Sequence, residues 1–269
     1  MTLYQRPRRN IWITGKKEPE KTGKLMIYLI GTGHVFNLSS ALLKIFDEKR
    51  PDILCVELDR QRYKAIMLKQ TNPEEYKNIQ KNVPFIYKLL SRFQEGMAKE
   101  YGVVAGEEML TTINYANTHN LPIAFIDMNA QKMFSRMLKT MSFSEKFKLF
   151  FSGFGGLFVN KKRVEKELSK IDKNFDKYLL EIGDKFPTIK KVLIDERDQH
   201  MVQQLTAASS KYENVIAVIG DGHIPGISGL LKKKEINFET IRLNELRSMK
   251  NTDYESSSAT FSMDYKDPL

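Results

Sequence analysis

Two stretches of the chain carry almost the same wording: Ile30-Gly-Thr-Gly-His-Val35 and Ile219-Gly-Asp-Gly-His-Ile224, each directly after an apolar run. With 15 glycines and 4 histidines in 269 residues, a matched pair of this kind is not an accident of composition. Glycine lets a backbone turn off a strand and come close to a ligand, and imidazole adds a nitrogen donor that is neutral or charged near physiological pH. Such a loop suits a metal ion or a general base. Between the two copies, Val56-Glu-Leu-Asp59 closes another apolar run, and Glu57 is the carboxylate that continues it inward. His34, His223 and Glu57, with coordination positions left open, form a donor set for a divalent transition ion that would activate water at neutral pH. The plain structural alternative for Glu57 is a salt bridge to Arg62 or another arginine.

Two further clusters hold groups able to move protons or meet negative charge. Gly106-Glu-Glu-Met109 opens a helical pattern and Glu196-Arg-Asp198 lies within another. Glu108 and Glu196 are candidate general acids or bases, with Glu108 alternatively a further ligand. Arg62 and Arg197 are candidates for stabilising an oxyanion, or for holding a carboxylate. Ion pairing on a helix surface is the competing reading. Neither glycine loop completes Gly-x-Gly-x-x-Gly or contains the Lys-Ser/Thr of a phosphate loop, which weakens any nucleotide reading. His119 and His200 read as ordinary surface or supporting residues.

The elements that must position these groups alternate strand and helix. Short apolar runs at Leu25 to Ile30, Ile53 to Val56, Pro122 to Ile126 and Val215 to Ile219 suit strands covered on both faces, with an edge strand expected from Ile236 to Leu243. Helical spacing follows the first run, where Asn37 or Ser39 is a candidate cap. It recurs over Arg60 to Lys69, from Pro73 to Tyr101, Ala105 to His119, Ala130 to Met141 and Val192 to Ser209. The alternation predicts an α/β fold with a mostly parallel central sheet flanked by helices. Loops at the carboxyl ends of parallel strands share one rim, so His34 and His223 are expected close together despite their separation in sequence.

Charge is unevenly placed. The net +10 is accounted for by two segments: residues 1–24, with 7 Lys/Arg against 2 Asp/Glu, and residues 142–191, with 12 against 7. The remainder is neutral, which argues against a specific nucleic-acid-binding core. The chain therefore divides into a basic arm (1–24), a core (25–141 and 192–247), a helical Phe- and Lys-rich insertion (142–191) and a Ser/Thr/Asp-rich tail expected to be disordered (248–269). Within the insertion, Phe143, Phe147, Phe150, Phe151, Phe154 and Phe158 suggest an amphipathic face that meets the protein's own core, a second copy in a homo-oligomer, or a membrane surface. No uncharged run approaches the roughly 20 residues of a membrane span, and no secretory signal is visible. The single cysteine, Cys55, reads as a core residue and fits a reducing, cytoplasmic setting.

Taken in order, Gly31-Thr-Gly-His34, Val56-Glu-Leu-Asp59 with Arg62-Tyr63, Gly106-Glu-Glu-Met109, Glu196-Arg-Asp198 and Gly220-Asp-Gly-His223 with Pro225-Gly226 resemble the TraB/PrgY family, related to the Tiki proteins and to erythromycin-esterase and ChaN-like folds. The resemblance runs from about Leu25 to Leu243. It implies a metalloprotease-like site built from the two Gly-x-x-His histidines and a glutamate, with manganese or cobalt favoured and zinc as a third choice. It also implies a peptide or related amide as substrate, since plasmid-borne relatives shut down peptide pheromones. Non-catalytic peptide sequestration and a membrane-surface or scaffold role are the alternatives. One departure stands out: after the third strand the family often reads Asp-Arg-Asp, whereas this chain has Asp127-Met-Asn129.

Overall fold

The computed structural model describes residues 25–33, 38–80, 106–148 and 183–256. The basic arm, His34, the helical pattern beyond Gln80 and most of the insertion lie outside the described residues. The elements in order are β1 (Met26–Thr32), α1 (Ser39–Lys49), β2 (Ile53–Val56), α2 (Arg60–Thr71), α3 (Pro73–Gln80), α4 (Glu107–Thr118), β3 (Ile123–Phe125), α5 (Ala130–Thr140), α6 (Pro187–Lys190), α7 (Glu196–Ser209), β4 (Asn214–Gly220), α8 (Ile224–Lys233), β5 (Phe238–Ile241) and α9 (Leu243–Ser256). One π-helical turn, Lys191–Asp195, joins α6 to α7, and one 3-10 turn, Asp221–His223, joins β4 to α8.

Among the described residues, five strands pair in parallel, in the order β3-β2-β4-β1-β5. Successive side chains alternate between faces. Ile27, Leu29, Ile53, Cys55, Val215, Ala217 and Ile219 therefore pack with Met201, Val202 and Leu205 of α7 and Ile227 and Leu231 of α8. Ile30, Leu54, Val56, Ile216 and Val218 pack on the other face against Leu42, Ile45 and Phe46 of α1, Met109 and Ile113 of α4, and Leu246 of α9. Both faces are covered, which is why the strands read as continuous apolar runs rather than alternating ones. A smaller cluster joins Met133, Met137 and Met141 to Val192, seating α5 against the turn that leads into α7.

The connections reverse direction at the centre of the sheet. From β1 the chain passes over α1 to β2, beyond β4; from β4 it passes over α8 to β5, beyond β1. These neighbouring strands send their connections in opposite directions and across opposite faces. That is the switch point at which open α/β sheets bind ligands. Helices leading into parallel strands begin at the same rim, so the first turns of α4 and α7 lie there as well.

Several expected boundaries shift. β1 runs on to Thr32, so Gly31 is a strand residue rather than a loop residue. Ser39 does not cap α1: it is the first helical residue, and its hydroxyl bonds across to Glu107 and Thr111. The helix before β4 begins at Pro187, five residues early, and passes through the π turn. The C-terminal helix continues to Ser256, into the stretch expected to be a disordered tail. Among the described residues, no helix is long and apolar enough to cross a membrane.

Candidate functional site at the sheet's switch point

The site begins with the carboxylate that follows β2. Glu57 is buried, its backbone N–H donates to Val218, and its Oε2 accepts the N–H of Gly220 at 2.6 Å. A Cβ on Gly220 would meet that oxygen at 3.3 Å, so glycine serves here to let a carboxylate approach the backbone. Oε1 pairs with Nη2 of Arg197 and lies 3.5 Å from Nε2 of His223. The arginine partner anticipated for Glu57 is thus Arg197, not Arg62.

Arg197 reaches the rim because it lies in the first turn of α7. Its Nε and Nη2 donate to Asp127 at 2.9 and 2.7 Å, Nη2 also meets Glu57, and Nη1 donates to the Leu193 carbonyl at 3.3 Å in the π turn. Burial opposes the guanidinium charge, but the Glu57 and Asp127 carboxylates outweigh it and raise the Arg197 pKa above its ordinary value. All its nitrogens are engaged, so its geometry is that of a clamp on two carboxylates. Arg62, at the start of α2, pairs with Asp127 through Nη2 and with Asp59 through Nε at 2.8 Å, while its side chain stays 39% exposed. Asp59 also caps α2, accepting the N–H groups of Gln61 and Arg62. An unbroken chain of alternating charge therefore runs Asp59, Arg62, Asp127, Arg197, Glu57 across the ends of β2, β3 and β4.

His223 sits in the turn after β4, buried, with Nδ1 2.6 Å from Oδ1 of Asp198. Burial raises the Asp198 pKa, against the pull of His223 and Arg197. The other carboxylate oxygen of Asp198 occupies the space where a side chain on Gly226 would begin.

The two Gly-x-Gly-His segments leave adjacent strands, with Thr32 of β1 in register with Gly220 of β4 and the Thr32 hydroxyl donating to the Ile219 carbonyl at 3.2 Å. Asp221 lies over Gly31, where a Cβ would collide with its Oδ1. Arg242 holds Asp221 with two hydrogen bonds of 2.9 and 2.8 Å, and the Leu243 N–H adds a third. The described glycines Gly31 and Gly220 thus provide close approach rather than a sharp turn.

Of the candidate residues, Glu57, Arg62, Arg197 and His223 come together. Glu108 is buried in the first turn of α4 at the same rim. Glu196 points elsewhere: its Oε1 pairs with Arg136 at 3.0 Å, the helix-surface ion pair considered as its alternative, and its buried Oε2 has no hydrogen-bond partner. His34 falls outside the described residues; β1, which precedes it in sequence, is paired with β4 up to Thr32. Asp127 and Asp198 were not singled out as site residues. Asp127 directly follows the apolar run Pro122 to Ile126, as Glu57 follows Ile53 to Val56, and that parallel was the available signal. Asn129, where the family pattern has a second Asp, caps α5 by accepting the Lys132 N–H.

A donor set for one ion needs its ligands within a few ångströms of each other. Bonds of roughly 2 Å to a shared ion leave neighbouring donor atoms about 3–3.5 Å apart. The 3.5 Å between His223 Nε2 and Glu57 Oε1 fits that span, and a carboxylate on the other imidazole nitrogen is the usual support for a metal-binding histidine. Among the described residues no group of three or more His, Cys, Asp or Glu side chains is arranged to hold a metal ion.

A parallel α/β sheet carries a buried carboxylate–arginine–histidine cluster at the carboxyl ends of its strands, the rim where open α/β sheets place ligands. The chain belongs to the TraB/PrgY/gumN family, whose model matches residues 17–238. It is 33% identical over 229 residues to an uncharacterized protein of Methanocaldococcus jannaschii, covering 83% of this chain and 57% of that protein. It is 21% and 20% identical to the TraB domain-containing proteins of mouse and human, covering 75% of this chain and 61% of each. The chain thus spans about three-fifths of the length of these relatives.

Proposed function

We propose that this TraB-family chain is a metal-dependent hydrolase acting on a peptide or related amide bond. The observation that supports this reading is the approach of His223 Nε2 to Glu57 Oε1 at the switch point, with Asp198 behind the imidazole. Glu57, His223 and His34 would hold the ion, manganese or cobalt before zinc. Such an ion supplies Lewis acidity and a water made acidic enough to attack at neutral pH.

The chain's own residues divide the remaining work. Arg197 holds Glu57 in place beside Asp127, because withdrawing its guanidinium would leave two buried carboxylates facing one another. Arg62, half-exposed at the mouth, faces the negative charge that develops on a tetrahedral intermediate. Glu108 and Glu196 are the candidate proton carriers. The Arg136 pair on Glu196 gives Glu108 the stronger claim.

The deciding experiment is purification without chelator, followed by quantification of bound metal by mass spectrometry after reconstitution with manganese, cobalt or zinc. His34→Ala and His223→Ala variants are measured beside the parent. Near-stoichiometric metal lost in both variants supports the shared site and directs a screen of peptide substrates. A parent chain that takes up none of the three metals points instead to a metal-free peptide-binding protein.

A second reading, association through the insertion, is favoured by Phe143 and Phe147, which are 88% and 60% exposed. Analytical ultracentrifugation of the parent and a Phe143→Ser/Phe147→Ser variant tests homo-oligomer formation. Co-sedimentation with anionic vesicles tests a membrane surface.

A further inference from the structure

Asp198 contributes to no ion pair in the Glu57–Arg197–Asp127 chain, and its place is set by two contacts. One oxygen stands 2.6 Å from His223 Nδ1, and the other fills the position a side chain would take on Gly226. The carboxylate is buried, so it has little water to choose instead. Burial works against the charge on Asp198 while His223 and Arg197 favour it, and in its ionised form the carboxylate only accepts hydrogen bonds, so the facing ring nitrogen then carries the proton. Neutral imidazole has one N–H and one lone pair, and fixing the first at Nδ1 leaves the lone pair on Nε2, the nitrogen nearest Glu57.

We infer that Asp198 is a positioning residue that selects the Nδ1–H tautomer of His223, and that Gly226 is required because it leaves the space in which Asp198 sits. Free imidazole side chains favour the opposite tautomer, so without this carboxylate Nε2 would carry the proton and could neither bind an ion nor accept a proton. The inference deepens the hydrolase reading, yet the tautomer exists whether or not a metal binds. The two can therefore fail separately.

The test is a two-bond proton–nitrogen NMR correlation on the 15N-labelled full chain at about pH 8, above the ordinary imidazole range near 6.5. His223→Gln identifies the resonance among the 4 histidines. The parent is expected to show a protonated Nδ1 and a bare Nε2 at His223. In both Asp198→Asn and Gly226→Ala the protonated Nε2 form should rise to a substantial population, while the other histidines stay unchanged. Backbone amide spectra establish that at least one variant remains folded. A protonated Nε2 in the parent, or an unchanged tautomer in a folded Asp198→Asn variant, overturns the inference. In a parallel titration with zinc or manganese alone, loss of the positioning carboxylate should weaken binding about 10–100-fold. A parent chain that binds neither metal counts against the hydrolase reading and leaves the tautomer result to decide this one.

Discussion

The carboxylate of Asp221, in the second Gly-x-Gly-His segment, lies against the α-carbon of Gly31, in the first. Arg242 and the Leu243 N–H fix Asp221 from the other side, so it has little freedom to retreat. The two segments meet closely at this pair of residues as well as being alike in wording. Gly31→Ala should therefore destabilise the fold by about 1–3 kcal/mol through overpacking. Adding Asp221→Ala should recover part of that loss, giving a double mutant less damaged than the sum of its parents. Urea unfolding of the four proteins measures the coupling, and strict additivity would show that the close approach carries no energy.

Arg197 is predicted to be the costliest single truncation at the site. Arg197→Ala leaves Glu57 and Asp127 buried without their shared cation and should cost about 3–5 kcal/mol. Arg197→Lys restores the charge but not the fork that spans both carboxylates, so it should be intermediate. If chemical denaturation places all three proteins within 1 kcal/mol of each other, roughly the scale of exposed pairs, the clamp is not structural.

Glu145 gives a pH-dependent prediction away from the site. Burial would raise its pKa, but hydrogen bonds from the Thr188 and Ser142 backbone N–H groups and hydroxyls outweigh it and hold the pKa at about 2. The folded-state value is depressed below the ordinary Glu value of about 4.3. Its stabilisation is therefore fully present above that pH and is lost as the pH falls through about 2. This carboxylate ties the residues after α5 to the start of α6, across the insertion. Glu145→Gln should lower stability at pH 7 and flatten the decline in unfolding midpoint between about pH 4.5 and 2. Parallel pH profiles for parent and variant would remove Glu145 as a source of acid sensitivity.

Cys55 should be chemically silent in the folded protein. It is fully buried, and burial pushes its thiol up to about 12, so almost no thiolate exists at pH 8. An aromatic disulfide reagent should react with the native chain only as fast as the chain unfolds, and promptly in denaturant. Fast reaction under native conditions would place Cys55 on an accessible surface.

Local chemistry made much of this architecture legible. The apolar runs at Ile53 to Val56 and Val215 to Ile219 read as strands buried on both faces. Paired Gly-x-Gly-His wording after two of the runs marked a shared rim, because parallel strands send their carboxyl ends the same way. Glu57 stood out because a carboxylate continuing a buried strand needs a partner. The strand order, the identity of that partner and the work of Asp127 and Asp198 were decided by the tertiary structure alone. Arg197 and Glu57 are separated by 140 positions, and only the start of α7 at the β4 rim selects Arg197 over the nearer Arg62. The glycines show the same division: their type and spacing are written locally, but Gly31 and Gly226 are needed because carboxylates from distant segments, Asp221 and Asp198, occupy the space a side chain would take. Periodicity reports which face of an element is buried, whereas charge pairing depends on which elements become neighbours.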